Sequence, residues 1–91
     1  MVRNGRAVRR GRILIRYYFH IREGWNVIPD EEGMELPSFD AARSEAYASA
    51  DDIARAAIQD GTSVSATAIQ IADDAGNILG RVKVPVLRRL A

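Results

Sequence analysis

The sequence predicts a two-layer α+β sandwich, an antiparallel sheet of about four strands with one long helix on one face. Three observations carry that expectation. Residues 13–22 alternate apolar and polar side chains with the two-residue period of a half-buried strand. Residues 39–57 repeat apolar and small side chains every three or four positions, the period of a helix with one packed side. Residues 67–84 alternate again on either side of Asp73-Asp74-Ala75-Gly76-Asn77, a turn-forming string. The order is hairpin, helix, hairpin. Two hairpins merge into one sheet, and a single helix covers only one of its faces.

Each element has its own signal. Residues 1–12, arginines with Gly5 and Gly11 and no apolar period, read as an unstructured basic arm, and the domain is expected over 13–85. In the first strand Ile15, Tyr17, Phe19 and Ile21 point one way, and Arg16, Tyr18, His20 and Arg22 the other. Glu23-Gly24 supplies a turn, Trp25 to Ile28 returns the chain, and Pro29 ends that strand because it has no amide to donate. Met34-Glu35-Leu36, after an acidic loop, reads as a short third strand or as the lead into the helix. Ser38 is placed to accept hydrogen bonds from the first free helix amides, with Asp40 near the positive end of the dipole.

The helix stripe is Phe39, Ala42, Ala46, Ala50, Ile53 and Ala57, while Asp51 and Arg55 sit four apart on the outer side. Eight alanines between Phe39 and Asp60 favour the helix and let it lie close on a sheet, and Gly61 is the expected stop. In the second hairpin Thr67, Ile69 and Ile71 alternate with Ala68, Gln70 and Ala72, and Ile78, Gly80, Val82 and Val84 return. Gly80 inside a strand marks a bulge or a close approach of the helix. Pro85 closes the strand, and residues 86–91 form a short basic tail.

A chain of 91 residues holds one core, and 47 % hydrophobic with 27 % charged residues is an ordinary globular composition. It has no cysteine, hence no disulfide and no thiolate ligand, and a reducing cytoplasm is the expected compartment. The early apolar run Ile13-Leu14-Ile15 is too short for a signal-peptide core or a membrane span, so no membrane partner is expected. The net charge of +1 hides a segregation. Residues 1–16 carry six arginines and no acid, residues 17–80 carry twelve acids against three arginines, and residues 81–91 carry four cations.

Catalytic and metal chemistry find no pattern. His20 is the single histidine, and no serine or threonine stands in a nucleophile context for it to serve. Asp30, Glu31, Glu32 and Glu35, and separately Asp73, Asp74 and Asn77, lack the alternate-residue ligand spacing of a calcium loop and read as turns. No glycine-rich phosphate loop is present, so neither an enzyme nor a bound cofactor or metal is expected. What remains is the face of the sheet the helix leaves uncovered. It carries Arg16, Tyr18, His20 and Arg22, and, depending on register, Leu79, Arg81 and Lys83 as well.

Three stretches, Arg16-Tyr17-Tyr18-Phe19-His20-Ile21-Arg22-Glu23-Gly24, Pro29-Asp30-Glu31-Glu32-Gly33-Met34-Glu35-Leu36-Pro37 and Ala41-Ala42-Arg43-Ser44-Glu45-Ala46, resemble a family of small bacterial proteins with no assigned function. The resemblance spans residues 16 to 85. It implies a fold and a bacterial cytoplasm and carries over no catalytic residue. A fainter similarity is to antitoxins of the HicB type, in which a hairpin leads into a Pro-Asp-x-x-Gly turn and a helix rich in Glu-Ala. That similarity implies masking of a small RNA-cleaving toxin, although the second hairpin here stands where many such antitoxins add a DNA-binding segment.

A domain of about 70 residues has a core of only a few kcal/mol and gains from covering an open face. The reading that follows is a non-catalytic protein-interaction module, self-associating or bound to another protein, with Arg16, Tyr18, His20, Arg22, Arg81 and Lys83 as its contact face. Nucleic acid is the alternative partner, through the arginine arm and stacking on Tyr18 and His20. The twelve acids of residues 17–80 weigh against it.

Overall fold

The computed structural model describes the backbone of residues 6–9 and 12–87 and the side chains of 13–87. The chain runs β1 (Arg6–Arg9), β2 (Arg12–Glu23), β3 (Asn26–Ile28), β4 (Met34–Leu36), α1 (Phe39–Asp60), β5 (Thr67–Ala72) and β6 (Ile78–Lys83). All strand pairings are antiparallel, and the six strands form one sheet with α1 on one face, the expected two-layer α+β arrangement. One expectation needs correction. Arg6–Arg9, placed by the sequence in an unstructured arm, is a strand, with Arg6 opposite Ile15 and Arg9 opposite Arg12. Its Arg-Ala-Val-Arg sequence shows no alternation that marks a strand, and the pairing with β2 is what reveals it. The rest of the expected arm, residues 1–5 and 10–11, and the tail beyond 87 lie outside the described residues.

β2 organises the sheet. Its second half pairs with β5 from Tyr18 opposite Ala72 to Glu23 opposite Thr67, and with β3 at Ile21 to Glu23. Its first half pairs with β1, and with β4 at Ile15 to Tyr17. Because Ile15 faces both Arg6 and Leu36, and Ile21 faces both Ile28 and Ile69, β2 has a neighbour on each edge along much of its length. Between β3 and β4 the chain leaves the ladder, and the loop 29–33 fills the interruption.

The helix forms as its sequence dictates. Ser38 caps it in extended conformation with its side chain accepting from the Ala41 amide, and Gly61 ends it at φ 71°, where its amide and that of Thr62 close on the carbonyls of Ile58 and Ala57. Ala42, Ala46, Ala50, Ala54 and Ala57 are buried, so the stripe follows the expected side with Ala54 added. They pack with Tyr17, Ile69, Ile71, Val82 and Val84, and Phe19, Leu36, Phe39 and Ile53 close the margins. Gly80 marks both things its position suggested. A Cβ there would stand 2.9 Å from the Phe39 ring, and the β5–β6 register shifts at Ile71/Ala72 beside it.

Candidate functional site

On the other face, strand alternation brings together three rows across β2, β5 and β6. Arg22, Ala68 and Lys83 form one, His20, Gln70 and Arg81 the next, and Tyr18, Ala72 and Ile78 the third. The middle strand supplies only small or neutral side chains, so the rows make a trough with a floor of Ala68, Gln70 and Ala72. Its walls, two strand spacings apart, stand about 10 Å from one another. The floor is more sheltered than an uncovered face suggests. Gln70 is 7 % and Ala72 0 % exposed, while Tyr18, His20 and Arg22 are half-buried and Arg81 and Lys83 exposed.

Arg22, Arg81 and Lys83 converge with Ser65, Ala66, Thr67 and Ala68 around a hollow of about 290 Å³ at one end of the trough. Arg22 is held there by Nε donating to the Gly24 carbonyl at 2.9 Å, and its guanidinium lies 6.0 Å from the centre of the Trp25 ring. No acid lines the hollow. Glu23, next in sequence, points to the opposite face, where it lines a separate hollow with Ile53 and Val64. Further along, the rings of Tyr18 and His20 lie 6.3 Å apart and only 19° from parallel.

His20 is fixed by the loop that interrupts the β3–β4 edge. Its Nδ1 accepts from the Asp30 amide at 3.0 Å, which in the neutral ring leaves the proton on Nε2. The Asp30 carboxylate accepts from the amides of Phe19, Glu32 and Gly33 at 3.1, 3.2 and 3.1 Å. Partial burial pushes the Asp30 carboxyl up, but those three amides and the nearby His20 outweigh it, and the group sits below its ordinary value. Asp30 thus stands in for the strand that is missing at Phe19. Gly33 completes the device at φ 70°, where a Cβ would come 2.8 Å from the Tyr17 carbonyl oxygen. The Pro29-Asp30-Glu31-Glu32-Gly33 string is therefore a splice in the sheet edge.

Of the six residues expected to share a face, five border the trough. Arg16 lies beyond it, its guanidinium donating to the Glu32 carbonyl at 2.6 Å and standing 3.6 Å from Glu35 Oε1. Glu35 Oε2 is buried without a partner among the described residues. The sequence reading passed over Trp25, 93 % exposed at the hairpin tip, and over Gln70 in the floor. A lone tryptophan beside a turn glycine was the available signal for the first. The second follows only from the pairing of Gln70 with both His20 and Arg81.

The acidic turns behave as turns. Asp73 accepts from the amides of Ala75 and Asn77 and from the Asn77 side chain, and these bonds, the Asn77 side chain foremost, hold its carboxyl below the ordinary value. Among the described residues no three histidine, cysteine or acidic side chains gather into a metal-holding group, and no helix is long and apolar enough to cross a membrane.

Neither the curated proteins nor the solved structures contain a match to this chain. Residues 16–85, from Arg16 within β2 to Pro85 just past β6, match the family described as Domain of unknown function (DUF6894), and the chain belongs to that family.

Proposed function

We propose that this chain is a non-catalytic binding module that takes a negatively charged partner in the trough between β2 and β6. The observation that carries the reading is the convergence of Arg22, Arg81 and Lys83 around one hollow with no acid among its lining residues. Like charges gathered without counter-charge raise the local potential and gain from an anion seated among them. Arg22 also braces the hairpin turn, but the Arg81 and Lys83 side chains make no hydrogen bond or ion pair among the described residues, and the core lies on the opposite face. The non-catalytic part of the reading is supported by the engagement of the single histidine, whose Nδ1 is occupied by the Asp30 amide and whose ring neighbour is Tyr18.

Elution from immobilised heparin tests it. The full chain should leave the matrix at clearly higher salt than the Arg81→Ala/Lys83→Ala double variant, whose two changes lie at exposed positions. The basic N-terminal residues are common to both proteins, so the difference reads the trough. Equal elution overturns the proposal.

A second reading, contact with another protein or a second copy, is favoured by the β2–β3 hairpin. Trp25, Val27 and Ile28 are 93 %, 48 % and 51 % exposed there, and an exposed tryptophan among apolar neighbours has the composition of an interface anchor. Sedimentation of the wild type and of Trp25→Ala at several concentrations checks self-association. A monomer throughout removes it.

A further inference from the structure

Resting on the reading of the trough as a surface for a negatively charged partner, we infer that its occupant is single-stranded nucleic acid, with phosphates at Arg22, Arg81 and Lys83 and bases against the rings of Tyr18 and His20.

Two linear polyanions fit a trough about 10 Å wide, an acidic polypeptide and a single nucleic-acid strand. They differ in what their backbones require. A polypeptide carries an amide donor and a carbonyl acceptor at every residue and binds sheets along an edge, where those groups find partners. Here the trough is walled by β2 and β6 and floored by β5, whose backbones already pair with one another from Tyr18 to Glu23 and from Ala68 to Lys83. The floor offers a laid-in peptide a single amide side chain, Gln70, and otherwise Ala68 and Ala72. A phosphodiester chain makes no such demand, and its charges need only the cations.

The rings point the same way. Tyr18 and His20 present half-exposed, near-parallel aromatic side chains on the same wall as Arg22. A base stacks on such a surface, whereas an aspartate or glutamate gains nothing from it. In a duplex the bases are stacked on each other and withheld from the rings, so the single strand is selected. The charge of the whole molecule also orients the encounter. Helix α1, on the far face, carries five acids against two arginines and repels a polyanion towards the trough. The acids that weighed against nucleic acid in the sequence are, in part, on the side away from it. Of the acids near β2, Asp30 is engaged by three amides, Glu35 stands beside Arg16, Glu23 points to the far face, and Glu31 and Glu32 are exposed in the loop.

Fluorescence anisotropy on the full chain tests the inference, using labelled 12-nucleotide mixed-sequence RNA and DNA, the corresponding DNA duplex, and a 12-residue polyglutamate as probes. The single strands should bind more tightly than the duplex and the polyglutamate. Release of counterions by three cations should weaken their binding roughly a hundredfold between 20 and 200 mM salt. Arg81→Ala/Lys83→Ala should lower affinity for the single strands at least tenfold. Tyr18→Leu, which keeps apolar bulk but removes the ring, should lower it about tenfold and leave polyglutamate unaffected, with a thermal melt verifying that the variant is folded. Preference for RNA, or parity between RNA and DNA, both support the inference and identify the source of the strand. Polyglutamate or duplex binding as tight as the single strands, or no effect of Tyr18→Leu, overturns the nucleic-acid inference while the anionic trough stands. Binding unaffected by Arg81→Ala/Lys83→Ala, or no binding of any probe, removes both.

Discussion

The two faces of this sheet are built from alternate residues of the same strands, and they answer to different demands. Tyr17, Ile69, Ile71 and Val82 meet the alanine stripe of α1, and their identity is dictated by the need to exclude water beneath a closely packed helix. One residue along each strand, Tyr18, Gln70 and Arg81 meet no second layer among the described residues and instead border a trough with cations at one end. The contrast separates folding from function within a single run of sequence. Where a face is covered, its side chains are explained by the cover. Where it is not, Arg81 and Lys83 have no bonded partner among the described residues that accounts for them.

The largest test of that separation is Ile71→Ala. The side chain is fully buried, and its loss should destabilise the domain by about 2–5 kcal/mol in denaturant unfolding. A cost below about 1 kcal/mol would mean that the covered face is not where stability resides. Gly33→Ala comes next, at about 2–4 kcal/mol, because positive φ combines with a backbone oxygen in the way of the new methyl. Gly24→Ala, at φ 60° in open space, should cost only about 1 kcal/mol, which isolates the contribution of the clash.

Asp30→Asn should cost about 1–2 kcal/mol at neutral pH, as charge-assisted bonds from three amides weaken at a site still partly exposed. The folded-state carboxyl of Asp30 lies below its unfolded value, so its stabilisation is complete above roughly pH 4 and is lost as pH falls through the folded value. Acid titration of unfolding stability should therefore narrow the gap between wild type and Asp30→Asn below pH 4, and a constant gap would contradict the assignment. The smallest effect belongs to the open face. Arg81→Ala and Lys83→Ala should each change stability by less than about 0.5 kcal/mol, and a larger loss would show that the two faces are energetically coupled.

Much of the fold was legible because its signals are periodic. The strand at Ile15 to Ile21, the stripe from Ala42 to Ala57, the cap at Ser38 and the stop at Gly61 each follow from a local rule, and each is where the sequence places it. β1 was not legible, since Arg-Ala-Val-Arg shows no alternation and only the pairing with β2 reveals it. The trough was half legible. The pattern assigns Tyr18, His20 and Arg22 to one face, but that Arg81 stands across from His20, and Lys83 across from Arg22, depends on pairing register through β5, which no local signal sets. The Asp30 loop reads as a turn in the sequence, but what its carboxylate holds does not show there for a related reason. Its acids look like a ligand cluster in one dimension, and only the arrival of Phe19 shows where the carboxylate is used.

The register shift between Ile71 and Ala72 reaches beyond the position of Gly80. It puts a kink into the pairing of the last strand, which also bears Arg81 and Lys83 and is followed by Pro85. A neighbouring copy arriving sideways would meet a crooked, charged ladder that stops short at an imide. Ribbon-like growth is thereby discouraged on that flank.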